Sequence, residues 1–430
     1  MLQVKELEIQ IKKMKKLFVL VFVSLLCIGR GKIFLNSQEL NILNESSQNE
    51  NFQSVDFWSD YPSDKLAKMI TDQMTDSELL AQTFMFGWAG AEPPELLYQW
   101  VSRGLGSVKV FGWNTDDIHL VAKSISSLQK SASQNRFKIP LFVATDQEGG
   151  SIRHVKGDTS ITPGNMAIGA GGYPLDAWYS AYYINMEIKA LGINMNFAPT
   201  VDLFTNHDST IIGTRSFGED PIKAGILGAA FASGSMAAGV IPTVKHFPGH
   251  GLTQKDSHFQ IPKITEKINK LEEEDMDVFK TAIDNGADAV MVGHLIIKDL
   301  DKRYPASLSK KVIQGYLVEK YNYKGLIITD DLKMMAIRIH YNMNKAVLKA
   351  IDSGNDMVMV GLSYKKVEKL IKYIIKQVKK DRISERRINQ SFQKIQVFKE
   401  KYNVTDNKIQ GFNVEEINRK ILNYKDKIAK

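Results

Sequence analysis

Eight short apolar runs, rich in Val, Ile and Phe, recur along the chain at residues 83–88, 107–112, 140–145, 194–199, 241–246, 288–293, 325–329 and 356–360. Runs of this length and composition predict buried strands. Between them lie stretches of helical periodicity, among them 116–131, 176–191, 219–238, 265–285, 309–321 and 364–380. Strands alternating with helices predict an α/β fold with a parallel sheet, and eight is the number that closes a (β/α)8 barrel of the TIM type. No matching period of 20–50 residues runs through the chain, which excludes a solenoid.

The two ends read differently from the middle. Residues 17–28, LFVLVFVSLLCI, form an apolar run behind Lys12, Lys13, Lys15 and Lys16. A helix needs about 20 apolar residues to cross a bilayer, so this basic-then-apolar pattern predicts a signal peptide or N-terminal membrane anchor over residues 1–35. Met14, followed by two lysines, is an alternative start, and Cys27 is a candidate for lipid attachment. An exported protein is expected, periplasmic or associated with the cell envelope. Residues 36–60, rich in Asn, Ser, Gln and Glu, predict a flexible spacer. The barrel is then expected over residues 61–400 as a single catalytic domain, and residues 401–430 as a C-terminal helical tail too short for a second α/β domain. A monomer is expected.

Composition narrows the possibilities. Hydrophobic residues make up 43% and charged residues 24% of the chain, which excludes a largely disordered one. The single cysteine excludes an internal disulfide framework and a zinc site built on several thiolates. The 16 methionines are expected to fill gaps in the core. Net charge is +8, and residues 365–400, with 12 basic and four acidic side chains, hold an excess equal to it. Such a stripe can bind nucleic acid, but no aromatic-rich or Gly-rich RNA motif accompanies it. A solvated helix face is the expectation, with no nucleic-acid partner.

The chemistry stands where the runs stop. LFVAT ends in Asp146, NMNFAPTV in Asp202, IPTV in Lys245 and His246, AVMVG in His294, and GLIIT in Asp330 and Asp331. Any one of these could merely begin a loop. Five in succession, all ionisable, match the face of a barrel on which active sites are built from several strand ends. Asp146, Asp202, Lys245, His246, His294 and Asp330 are therefore expected around one mouth. Alternation along a strand leaves only one of Asp330 and Asp331 facing it.

The segment KHFPGHGLTQKDSH (245–258) holds three of the eight histidines, His246, His250 and His258. A metal site is one reading, but Pro248, Gly249 and Gly251 break the helix that would align His246 with His250. Histidines held by backbone in a Gly-Pro loop are a second. Acid–base catalysis is the third: Asp256 and His258, two apart in an extended stretch, project to one side. A carboxylate beside an imidazole orients it and favours the imidazolium, which can give and retake a proton near neutral pH. Asp330 is the candidate group to attack carbon. Glu148 is expected to brace its loop, Asp202 to hold Lys245 or a loop, and PPELLYQW (93–100) to pack.

At these residues the chain resembles glycoside hydrolase family 3, in its bacterial β-N-acetylglucosaminidase (β-hexosaminidase) branch. The resemblance runs from Met74 to Lys399 through MTDSELLAQTFMFGW (74–88), IPLFVATDQEGG (139–150), LGINMNFAPTVDL (191–203), IIGTRSFGEDP (211–221), TVKHFPGHGLTQKDSHFQIP (243–262) and LIITDDLKM (326–334). It implies a (β/α)8 barrel and a retaining exo-enzyme that removes terminal GlcNAc from peptidoglycan fragments or chitooligosaccharides without a cofactor or metal. It also implies Asp330 as nucleophile, His258 with Asp256 as acid/base, and Asp146, Arg215, Lys245 and His246 as residues gripping the sugar. Where the family has Arg, eight residues after the Asp of DQEGG, this chain has His154 behind Arg153. Either Arg153 reaches in or His154 makes the contact. A β-N-acetylglucosaminide phosphorylase and a non-catalytic exported sugar-binding protein stay open as alternatives.

Overall fold

The computed structural model describes residues 55–157, 159–208, 211–253, 261–361, 364–380 and 384–404, and Arg419. The expected signal or anchor, most of the spacer and nearly all of the tail lie outside the described residues. Every predicted strand is present: β1 Phe84–Gly87, β2 Ser107–Lys109, β3 Phe142–Thr145, β4 Met195–Asn196, β5 Ile241–Phe247, β6 Ala289–Val292, β7 Leu326–Thr329 and β8 Val358–Met359. They neighbour one another in chain order, all parallel, and β8 returns to pair with β1. Between β7 and β8 the seam is closed by a parallel bridge from Ile328 to Met357, with the Thr329 N–H donating to the Met357 carbonyl at 3.1 Å. The sheet is a closed (β/α)8 barrel. Among the described residues there is no second α/β domain.

Period-two alternation sorts the strand side chains. Met85, Phe142, Ala144, Met195, Ile241, Ala289, Met291, Leu326, Ile328 and Met359 fill the interior. Their neighbours Phe84, Phe86 and Val143, and likewise Val290, Val292 and Ile327, face the surrounding helices. Several methionines thus sit where unbranched side chains can fit the irregular centre of a barrel.

The helices are α1 Glu95–Ser102, α2 Ile118–Ala132, α3 Pro174–Ala190, α4 Pro221–Ala237, α5 Asp275–Asp284, the π-helical α6 Lys311–Lys320, α7 Met343–Ser353 and α8 Tyr364–Val378. Local chemistry starts several of them. Asp117, Asp220 and Asn342 accept from the first free N–H groups of α2, α4 and α7, and Pro221 pre-sets the first turn of α4. The single helix expected over 265–285 is broken at Glu274 (φ −117°, ψ −94°), within four successive carboxylates that would repel in one helical turn. PPELLYQW packs, as α1, with Trp100 edge-on to Phe86. Residues 55–60, assigned to the spacer by composition, are corrected: Val55 and Phe57 are buried, and the Phe57 N–H donates to Phe137 O at 2.8 Å. Two apolar side chains decide this against their polar surroundings.

A further helix, α9 (Glu385–Lys401), closes the bottom of the barrel and lies against helices Ser63–Thr71 and Asp76–Gln82. Its Ile395 and Phe398 join the interior cluster. Lys399 is fully buried and donates to Gln82 Oε1 and Gly106 O, both at 3.0 Å; burial pushes its ammonium well below the usual lysine range. The helix is tied to the strand end by Asp356, which is fully buried and accepts from Arg387 Nη2 (2.7 Å), Lys394 Nζ (2.8 Å) and the Ile327 N–H (3.0 Å). Burial alone would raise the Asp356 pKa, but Lys394 and Arg387 outweigh it and hold it below the usual carboxylate range.

Because that pKa is depressed in the folded state, the tie is complete above the unfolded carboxylate pKa of about 4 and is lost as pH falls through the folded value. Asp356→Asn is expected to cost about 2–4 kcal/mol at pH 7. The gap in denaturation midpoint between variant and wild type should narrow as pH drops below about 4; a gap constant with pH would exclude the ionised tie.

Candidate active site

At the C-terminal ends of the strands the inward positions turn from apolar to charged without leaving register. Lys109 continues the face of Ser107, Asp146 that of Phe142 and Ala144, Lys245 that of Ile241 and Thr243, and Asp330 that of Leu326 and Ile328. All four line one cavity of about 610 Å³, with Glu148, His154, Arg215, His246 and His250. His246 stands beside Lys245 because β5 is irregular there, its register shifting between Val244 and Phe247.

Five of these side chains form one ion cluster. Asp146 accepts from Lys109 and, at 2.5 Å, from Lys245. Lys245 also meets Glu148 at 2.7 Å, and Arg215 grips Glu148 through two hydrogen bonds of 2.7 and 3.0 Å. Burial would raise both carboxyls. Lys109 and Lys245 nevertheless hold Asp146 well below its usual range, and Arg215 and Lys245 hold Glu148 at about 2. Three cations face two carboxylates, and Asp330 supplies the balance. Burial works against its ionisation too, but His294, His246, the Asp331 N–H at 2.7 Å and Lys109 keep it below the usual carboxylate range. An ionised carboxylate therefore lines the cavity at neutral pH.

Asp202 and His294, expected at the mouth, are not among the cavity's lining residues. Asp202 is buried and accepts from His246 Nδ1 (2.7 Å) and from the His250 N–H (2.7 Å), so it holds the histidine loop rather than Lys245. His294 is satisfied by Ser307 Oγ at 2.7 Å and the Asp331 carbonyl at 3.1 Å. Asp331 corrects another expectation, because it lines the cavity beside Asp330. Strand alternation ends at Thr329, and the Asp331 carboxylate accepts the Lys333 N–H at 2.8 Å in the loop beyond.

Arg153 is corrected as well. Gln147–Gly149 and Ile152–Arg153 form an antiparallel hairpin, in which Ile152 and His154 face the cavity. Arg153 lies on the other side and donates to Thr159 O at 2.9 Å. His154 takes its place, with Nδ1 3.5 Å from Asp146 Oδ2 and no hydrogen-bond partner. Burial lowers its pKa.

Two residues escaped the sequence reading. Lys109 fell inside an apolar run, although an ionisable residue there was the signal that the strand ends early. Asp275, at the start of α5, carried no such signal. It is buried under the histidine loop with no hydrogen-bond partner for either oxygen among the described residues, and burial, with Asp202 nearby, pushes its carboxyl up to about 7. The loop comes this close only because of its glycines: a Cβ at Gly249 (φ +121°) would sit 2.5 Å from that of Asp275. Asp256 and His258, in the same loop, lie outside the described residues. Among the described residues no three His, Cys, Asp or Glu side chains are grouped to hold a metal.

Residues 84–398 match the model of the glycosyl hydrolase family 3 N-terminal domain. A β-hexosaminidase A of Pseudoalteromonas piscicida is 33% identical over 290 residues, which cover 63% of this chain and 48% of that one. This chain thus spans about half the length of that relative. A secreted glycosyl hydrolase of Arthroderma benhamiae, itself uncharacterised, is 31% identical over 73% of this chain and 90% of its own. The family 3 β-N-acetylglucosaminidase structure from Paenibacillus sp. superposes with a TM-score of 0.78 at 32% identity, over 82% of this chain and 69% of that one.

The ion cluster makes a direct prediction. Glu148→Gln leaves Arg215 without its carboxylate and Lys245 with Asp146 alone, and should cost about 3–5 kcal/mol by denaturant unfolding. Glu219→Gln, which removes an exposed partner of His207, should cost under about 1 kcal/mol. Equal losses would show that the cluster carries no special weight.

Proposed function

As the chain belongs to glycosyl hydrolase family 3, we propose that it is a retaining exo-β-N-acetylglucosaminidase, acting on terminal non-reducing GlcNAc of peptidoglycan fragments or chitooligosaccharides. The observation that carries the proposal is Asp330: an ionised carboxylate on the wall of a cavity at the C-terminal ends of the strands, beside a dense set of hydrogen-bonding groups. The β-hexosaminidase and β-N-acetylglucosaminidase names of its relatives favour GlcNAc as the sugar.

In this reading the terminal sugar places its hydroxyls against Asp146, Lys245, Arg215, His246 and Lys109. His154 Nδ1, which lacks a partner, takes a further hydroxyl. An Asp330 oxygen attacks the anomeric carbon as the bond from that carbon to the leaving oxygen breaks. His258, as imidazolium oriented by Asp256, gives its proton to the leaving oxygen. The resulting glycosyl ester is then opened by water, which loses a proton to the now neutral His258 and frees Asp330. The protein residues alone carry every proton and electron pair in this scheme. We propose in addition that residues 1–35 direct export to the periplasm or cell envelope as a signal peptide or anchor, and that the enzyme works as a monomer.

Asp330→Ala is expected to lower kcat on chitobiose by about 10³-fold or more. His258→Ala should slow chitobiose by about 10²–10⁴-fold but slow aryl GlcNAc substrates far less, because an aryl oxide departs with little protonation. Equal losses on both substrates would remove His258 from the acid's role. GlcNAc 1-phosphate formed in the presence of phosphate would reassign the second step to phosphorolysis.

A further inference from the structure

Six acidic residues are buried among the described residues: Glu148, Glu187, Asp202, Asp275, Asp288 and Asp356. Five of them have partners. Arg215 grips Glu148, Ser160 donates to Glu187, the His246 N–H to Asp202, Lys401 to Asp288, and Arg387 and Lys394 to Asp356. Asp275 is the exception. It is 1% exposed, and neither of its oxygens has a hydrogen-bond partner among the described residues. A buried carboxyl in that state is costly to ionise, and no reaction step proposed above uses it.

Its place gives it a role. Asp275 opens α5 directly beneath the histidine loop. A Cβ built on Gly249 would lie 2.9 Å from Asp275 Oδ1, and one built on Gly251 3.3 Å from it, so the loop backbone rests on this carboxyl. The same stretch is held by Asp202, which accepts the His250 N–H at 2.7 Å and bonds His246 Nδ1 at 2.7 Å. Residues 249–251 thus meet two carboxyls, one bonded and one not.

The surroundings decide the charge on the second. Burial raises the Asp275 pKa most, followed by Asp202 on the connection after β4 and Glu274 at the start of its own helix; Glu266, ahead of helix Ile268–Glu273, adds to them. The histidine loop brings His250, which burial holds near 4 and therefore neutral. The Asp275 backbone N–H favours the carboxylate but is outweighed, and the group titrates at about 7. Under a seated loop the carboxyl is neutral below that pH. A charge there is solvated only if the loop lifts and admits water.

We propose that Asp275 is a positioning residue for the histidine loop: its neutral carboxyl seats residues 249–251 against the barrel, and its ionisation loosens them and, through the shared loop, the hold on His246. Only the consequence for the sugar rests on the hydrolase reading. The seat is firmest below the pKa of a solvated carboxyl, about 4. It weakens as pH rises from there through about 7 and is weakest above.

The test follows hydrogen exchange of peptides covering residues 246–253 in the full chain at about pH 5 and about pH 8, corrected for intrinsic exchange, since exchange reads local opening. In wild type the opening equilibrium should rise by about tenfold or more, the change that one pKa unit of coupling supplies. Asp275→Asn keeps the shape, cannot ionise, and should show less than about a twofold change. Its advantage over wild type in melting temperature should appear between about pH 4 and pH 7 and stay constant above. Gly249→Ala, which forces the loop off Asp275 by contact, should exchange fast at both pH values and covers the case in which Asp275→Asn fails to fold. An equal pH response in wild type and in either variant overturns the proposal.

A kinetic arm uses an aryl β-GlcNAc, whose departure needs little help from His258. Between about pH 6 and pH 8, wild type should lose about three- to tenfold more kcat/KM than Asp275→Asn, chiefly through KM, because His246 grips the sugar. The same difference should persist when both carry His258→Ala. Equal losses overturn the link from Asp275 to the sugar site. If exchange follows Asp275 but no GlcNAc substrate is cleaved, the seat stands and the hydrolase reading falls. If cleavage proceeds and exchange at 246–253 ignores pH, the seat falls alone.

Discussion

Lys245 holds two carboxylates at once, and the working end of the barrel is arranged around that fact. Its ammonium is almost wholly removed from water, a state that opposing charges at both Asp146 and Glu148 stabilise, and burial notwithstanding they raise its pKa. Lys109 and Arg215 complete the set from other strands and connections. A buried ion network of this kind contributes little net stability, but its three central members, Asp146, Lys245 and Glu148, are each fixed by two neighbours, which would let the proposed site take a sugar ring without rearranging. Against burial, His294 and His246, then the Asp331 N–H and Lys109, hold Asp330 below the usual carboxylate range, so Lys109 is the member of the cluster that also acts on the proposed nucleophile.

The barrel was legible in the sequence because burial on two faces leaves a simple trace: eight runs of β-branched and aromatic residues, each found as a strand. Charged residues at the ends of those runs were legible for the same reason, since one strand face continues from core to mouth. Legibility failed where that continuity stops. Asp331 lies one residue beyond β7, where alternation no longer governs direction. Arg153 and His154 sit on a small hairpin whose pairing, rather than composition, decides which of them turns inward. Lys109 was hidden by the apolar run around it, and Asp275 by a helix break that four adjacent acids only hint at.

The histidine loop shows how a short motif distributes its work. Asp202 fixes His246 and the His250 backbone, while Gly249 and Gly251 let the chain pass within contact of Asp275 and of the Leu203 carbonyl. His250 keeps a pKa near 4 through burial and bonds Thr253 through Nδ1. Most of KHFPGHG is therefore scaffolding, and the chemistry proposed for Asp256 and His258 depends on that scaffolding lying tight against the barrel.

The helix that seals the barrel's lower end is also the last one in the described chain. Lys399 reaches Gln82 and Gly106, so residues made early find their partner only after the last barrel strand and the helix that follows it have been made. A polypeptide still emerging from the ribosome has strands and helices but no floor, and its interior stays open to water. The finished core therefore forms only once the chain has been made as far as Lys399.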